Sequence, residues 1–152
     1  MAGFTAASAL KDAFVSAART LWAGTAVQVA FGHPGQTQAD DIVAFGRVTS
    51  AQEVATMGTN RSREETLTLD VVISIFRGGG PEMEAIASAR GYALLGELEE
   101  FARKTDTTIG GTVRHCFLTS HESDGATDPE ILSAGRLIEI SAQFTAQARI
   151  TS

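Results

Sequence analysis

A chain of 152 residues is long enough to bury one core without a metal or a disulfide to hold it. Its 43% hydrophobic and 20% charged content excludes wholesale disorder. A formal charge of −6 with only 12 Lys and Arg scattered along the chain excludes a general duplex-binding surface, which needs clustered cations to neutralise phosphates. The single cysteine, Cys116, excludes an internal disulfide and a cysteine-rich zinc knuckle, and it fits a reducing compartment.

The start, Met1-Ala2-Gly3-Phe4, lacks the basic stretch and continuous apolar run of an export signal, so none is expected. No uncharged apolar run approaches the roughly 20 residues that span a bilayer, so a soluble chain with no membrane partner is expected. From Phe4 to Trp22, Ala7, Leu10, Phe14, Ala17, Ala18 and Leu21 recur at helical spacing, which predicts an amphipathic helix closed by Gly24. Thr25 to Phe31 alternates as a half-buried strand. Gly32-His33-Pro34-Gly35-Gln36 is turn chemistry, and a second strand follows from Ile42 to Thr49.

Ser50 to Arg63 loses the alternation and gathers Gly58, Thr59, Asn60, Arg61, Ser62 and Arg63, which predicts a long loop with a short helical turn at Ala51 to Thr56. Glu65 to Arg77 then alternates strongly, with Leu67, Leu69, Val71, Ile73 and Ile75 on one face. Its other face is half apolar, which implies a partner over part of it. Thirteen extended residues reach about 43 Å, far beyond the radius of gyration of about 15 Å expected for a domain of this length. Such a strand bends or projects toward a neighbour.

Gly78, Gly79, Gly80 and Pro81 punctuate the chain, and Pro81 suits the first position of a helix whose early Glu82 and Glu84 favour the positive helix end. Met83, Ile86, Ala87, Leu94, Leu98 and Phe101 form its apolar stripe, to about Lys104. Val113 to His121 alternates moderately and Leu137 to Ile150 strongly, with an exposed loop at Asp124 to Pro129 between them. The order predicts an α+β fold across 1–152 as one domain, with a mostly antiparallel sheet, two helices packed on one face, and long strands used in contacts between subunits.

Candidate chemistry is thin. The glycines before Pro81 could offer free amides to an anion, but no phosphate-loop or dinucleotide pattern is present and Glu82 and Glu84 repel phosphate, so a strand-to-helix turn is the better reading. His115, Cys116 and His121 suggest a metal, yet strand parity sets the two histidines on one face and the thiol on the other. His33 with Asp40, Asp41 and a serine makes a triad on paper, and no nucleophile-elbow motif places the serine. Ser62-x-x-Glu65 matches a helix capping box, although the β-branched alternation after it points to chance. Arg61 and Arg63 beside Glu64 and Glu65 form either a docking patch or a solvated strand end. No catalytic residue, cofactor or metal is expected.

Several of these segments together resemble the tail terminator proteins of long-tailed, non-contractile bacteriophages. They are the N-terminal helix, Met57-Gly58-Thr59-Asn60-Arg61-Ser62-Arg63-Glu64-Glu65 before a long strand, the glycine break, the Ala-, Arg- and Leu-rich helix, and Asp106-Thr107-Thr108-Ile109-Gly110-Gly111-Thr112-Val113. The Thr-Ile-Gly-Gly-x-Val run is the most telling, with Ile109 where Leu is usual. The resemblance implies a structural virion protein of the tail and neck, assembled in the host cytoplasm. It would be a ring, typically a hexamer, that caps the head-proximal end of the tail tube, stops its polymerisation and docks the head-completion proteins. Its partners would be copies of itself, the major tail tube protein and the stopper protein, with genomic DNA passing through the lumen without sequence-specific binding. Gly110 and Gly111 are then expected to shape a turn. Gly58, Asn60, Arg61, Arg63 and Glu64 are the candidate interface with a neighbouring subunit or the tube. The alternatives are another neck or tail-completion component and a small-molecule-binding α+β domain.

Overall fold

The computed structural model describes residues 3–35, 38–58 and 61–151. Its backbone is organised by two strands that pair over their whole length: β3 (Arg63–Arg77) and β5 (Arg136–Ile150) lie antiparallel from Arg63↔Ile150 to Arg77↔Arg136. Strict alternation in both sequences fixes which face each residue takes. On one face Leu67, Leu69, Val71, Ile73 and Ile75 meet Ile138, Ile140, Ala142, Phe144 and Ala146, all buried. β2 (Asp41–Val54) flanks β3 and β4 (His115–Ser123) flanks β5, both antiparallel. The short β1 (Val27–Ala30) adds parallel to β2, giving the order β1-β2-β3-β5-β4.

Helices α1 (Ala7–Leu21) and α2 (Glu82–Glu100) cover the apolar face. Phe14 of α1 is the wedge, its ring 5.3 Å from Phe45, 5.2 Å from Phe144 and 6.4 Å from Phe101 between centroids. A buried Phe contributes about 1.5–3 kcal/mol by area, and each edge or tilted aromatic contact adds about 0.5–1.5 kcal/mol. In α2 the buried set is Ala87, Gly91, Leu94, Leu95 and Leu98, while Ile86, expected on the stripe, is exposed. Gly91 takes its place against the sheet because a Cβ there would lie 2.8 Å from Cδ1 of Ile140. The helix runs on as a π-helical turn at Phe101–Thr105. Trp22 donates its indole N–H to Glu97 at 2.7 Å and ties the two helices together.

Two bulges sit at one level of the sheet. β2 slips register between Phe45 and Val48 opposite Asp70, and β4 slips between Leu118 and Ser120 beside Gln143, the partner of Asp70. Bulges bend a strand and raise its twist, so both flanking strands turn at the same line of the central pair. Each also inverts parity. In β2 the core residues are Val43, Phe45 and then Val48. In β4 the parity changes between Leu118 and Ser120, which brings Cys116 and His121 to the same side of the sheet.

The strand boundaries correct one expectation. The expected loop at Ser50 to Arg63, with its helical turn at Ala51 to Thr56, is strand at both ends: β2 continues to Val54, which pairs with Arg63, and the connection is confined between these two residues. Residues 51–54 are exposed, so burial imposes no period of two on them and only backbone pairing makes them a strand.

The Asp106 to Val113 run is a left-handed turn. Ile109, Gly110 and Gly111 have φ of 44, 65 and 78°. The Gly110 N–H donates to the Asp106 carboxylate at 2.8 Å, the Gly111 N–H to the Thr108 hydroxyl at 3.1 Å, and the buried Ile109 side chain anchors the turn in the core. Gly78 to Pro81 form the link into α2, with Gly79 at φ 131°. We expect Gly111→Ala to cost about 1–2 kcal/mol, the penalty for a Cβ in the left-handed region. Gly135→Ala should cost more, since its φ is 153° and an added Cβ would also meet the Arg77 carbonyl oxygen at 2.6 Å. Melting temperatures of the two variants check both the losses and their order.

Candidate assembly interface

Past the ends of the helices, the β2–β3 hairpin stands clear of the core, and one buried carboxylate fixes its direction. Glu65 is fully buried on the core face of β3, past the last apolar residue of that strand, Leu67, and opposite the buried Ala148 of β5. It accepts hydrogen bonds from the Ala6 N–H at 2.7 Å, the Ser50 hydroxyl at 2.5 Å, the Gln52 amide at 3.0 Å and the Thr5 hydroxyl. The Gln52 amide also donates to the Phe4 carbonyl oxygen at 2.8 Å. α1 has no side-chain cap from Ala6; its first amide, the Ala7 N–H, donates to the Thr5 hydroxyl at 3.1 Å, and Glu65 takes the Ala6 N–H just before it from 59 residues away. Burial pushes the Glu65 carboxyl up, but the donors from Ala6, Ser50, Thr5 and Gln52 together outweigh it and hold it below its ordinary value. The Ser62-x-x-Glu65 pattern thus caps no local helix. Glu65 caps α1 across the fold, a role that only a buried Glu at an apolar strand position could have signalled.

Backbone hydrogen bonds join the described flanks of the tip. The Ser62 carbonyl oxygen accepts from the Ala55 N–H at 2.7 Å and the Thr56 N–H at 3.1 Å, and the Arg61 N–H donates to the Gly58 carbonyl oxygen at 3.0 Å. Arg61 is exposed with φ 47°, and Arg63 reaches back to the Arg61 carbonyl oxygen at 3.3 Å. Val54 and Met57 are 62% and 78% exposed, large apolar side chains without a core to enter. Of the expected interface residues, Gly58, Arg61 and Arg63 lie at this tip, and Asn60 lies outside the described residues. Glu64 points to the open face of the sheet, where Arg114 at 2.9 Å and Arg149 at 3.1 Å hold its carboxylate.

That open face has no helix over it. Thr66, Thr68, Asp70, Ser74, Ser141, Gln143, Thr145 and Gln147 make most of it polar, knitted by Gln143 to Asp70 at 3.1 Å and Thr119 to Thr145 at 2.8 Å, while Val72, Phe76 and Leu137 keep its end away from the hairpin partly apolar. At the end of the sheet away from the hairpin, Asp41 is 7% exposed and takes Arg77 at 2.5 Å and Arg90 at 3.0 Å. Burial raises the Asp41 carboxyl, while its hydrogen bonds to Arg77 and Arg90 and their charges bring it below the usual range.

The histidines do not gather. His33 accepts from the Gly35 N–H at 2.9 Å, and Asp41 is already held by its arginines, so the paper triad is taken apart. The parity argument for His115 and His121 needs correction, because the β4 bulge falls between them. His115 pairs with Gln147 on the open face and stacks near Phe117 at 5.3 Å. His121 pairs with Ala142 and meets Tyr92 of α2 at 5.5 Å, on the same side as Cys116. Among the described residues no three His, Cys, Asp or Glu side chains come together to hold a metal. No described helix is long and apolar enough to cross a membrane.

No family model and no curated protein matches the chain in sequence. A solved structure described as the virion of a native gene transfer agent particle contains a similar chain. The match covers 97% of this chain and 99% of that one at a TM-score of 0.58, with 13% identity. The two chains share a fold. The correspondence runs nearly end to end in both chains.

Two outcomes test this geometry. A group whose folded value is lowered lends stability that is full above its ordinary value, here 4.5, and is lost as pH falls through the folded value. Glu65→Gln should therefore flatten part of the acid loss of stability, and at pH 7 it should cost about 1–3 kcal/mol, because one oxygen becomes a donor facing donors. Thermal melts of both proteins between pH 3 and 7 check it. Burial pushes the Cys116 thiol up to about 12. Its alkylation at pH 8 should run at least roughly a hundredfold slower than in the unfolded chain, as read by mass spectrometry with and without denaturant.

Proposed function

We propose that this chain is a structural, non-enzymatic virion protein that forms a ring on the head-proximal end of a tail tube, stops its growth and offers the docking surface for head-completion proteins. The observation that carries this reading is the match of fold, nearly end to end, to a chain of a gene transfer agent virion. The resemblance of the Met57 to Glu65 and Asp106 to Val113 segments to tail terminators adds to it. The sheet geometry supports it as well. A sheet with helices on one face, a polar open face and a hairpin beyond the core is equipped for lateral contacts, and heterologous contacts that close make rings.

In this reading Gly58, Asn60, Arg61 and Arg63 form contacts with a neighbouring subunit or the tube, while Glu64 braces the open face. A Thr-, Ser- and Gln-rich face carrying Glu64, Asp70 and Glu139 would let DNA pass by repelling it, with no groups arranged to read bases. The test is assembly with purified tube protein, with six copies of this chain expected on each closed tube end by native mass spectrometry and electron microscopy. Tubes that keep growing in its presence, or single copies on their ends, would refute the proposal.

A further inference from the structure

We propose that the tip of the β2–β3 hairpin docks on the acidic β4–β5 loop of a second copy of this chain, joining copies head to tail. This names the partner of the hairpin within the proposed ring, and so rests on that reading. The two surfaces complement each other in charge. Residues 55–63 carry Arg61 and Arg63 and no acid, with Val54 and Met57 exposed beside them. Residues 115–135 contain no Lys or Arg and present Glu122, Asp124, Asp128 and Glu130 in exposed positions, with Leu132 43% exposed nearby.

The two surfaces of one chain cannot reach each other. Ser123, where the acidic loop begins, pairs with Ile140, which pairs with Ile73, ten residues along β3 from Arg63. At about 3.3 Å per residue the two surfaces are some 33 Å apart. Symmetric pairing is also disfavoured, since tip on tip would set Arg61 against Arg61 and loop on loop would face carboxylates with carboxylates. Head-to-tail contact alone opposes the charges and brings apolar side chains to both sides.

The acidic loop is pre-shaped, which lowers the ordering cost of association. The loop is fixed by the Thr127 N–H on Glu84 at 3.0 Å, the Leu137 N–H on the Thr127 hydroxyl at 3.0 Å, and Asp128 accepting from the Glu130 N–H at 3.0 Å. The carboxylates of Glu122 and Glu130 take no part in these bonds, Glu130 contributing only its backbone N–H, so their charges can be changed without loosening the loop.

Charge exchange tests the contact in the purified chain, without tubes, by sedimentation velocity and native mass spectrometry. Arg61→Glu with Arg63→Glu, and separately Glu122→Lys with Glu130→Lys, should each weaken self-association at least tenfold while the melting temperature stays near that of the parent. An equimolar mixture of the two should associate again, as should the chain carrying all four changes. A parent chain that stays a single copy at every concentration, either double variant associating like the parent, or a mixture that fails to recover would overturn the inference. Binding of the tip to tube protein with no recovery in the mixture would instead assign the hairpin to the tube. Recovery by a chain that does not stop tube growth would leave the contact standing and overturn only the terminator reading.

Discussion

The constraint on which the rest depends is that β3 and β5 pair residue for residue over 15 positions while only one of their faces is covered. A strand of that length extends about 50 Å, whereas helices of 15 and 19 residues are about 22 and 28 Å long. Two such helices cannot roof the whole sheet. The apolar layer therefore ends near Leu67, and the hairpin beyond it projects. The same mismatch leaves the far face to Thr, Ser and Gln, which tolerate water and still pair across strands.

Where the apolar layer stops, polar chemistry takes over the task of holding direction. Glu65 gathers donors from the N-terminal arm, from β2 and from the first turn of α1 around one buried carboxylate. A charge in that position is costly unless donors meet it, and here the Ala6 N–H reaches Oε1 while Thr5, Ser50 and Gln52 converge on Oε2. The result is a hairpin whose base is rigid although its two faces are exposed. At the opposite end Asp41, bridged by Arg77 and Arg90, closes the sheet in the same manner. Between the two ionic ends lies a core centred on Phe14, and the bulges at the level of Asp70 and Gln143 turn the outer strands about it.

Asp41 and Glu65 are committed to structure, Cys116 is sealed in the core, and the histidines are spread over both faces and a turn. What the molecule presents outward is a hairpin tip with Arg61 and Met57, a polar sheet face, and an acidic loop at the other end. Such separated, oppositely charged surfaces on one chain are the requirement for a heterologous, ring-forming contact.

The sequence by itself determined the α+β class, both helices and the core strands, because wherever one face is buried the period of 3.6 or 2 is written directly into the positions of Leu67 to Ile75, Ile138 to Ile150 and Leu10 to Ala18. It also marked the glycine positions at 110 and 111, where the backbone turns left-handed. Tertiary structure alone decided the rest. The far half of β2 carries no burial signal, so its strand state comes from pairing with β3. The bulge in β4 reversed the side of His121, because one unpaired residue changes parity and leaves no mark in composition. Glu65 reads as a polar residue at a strand start until α1, 59 residues earlier in the chain, is brought against it. Long-range contacts of this kind depend on where the fold places distant segments, which local periodicity does not encode.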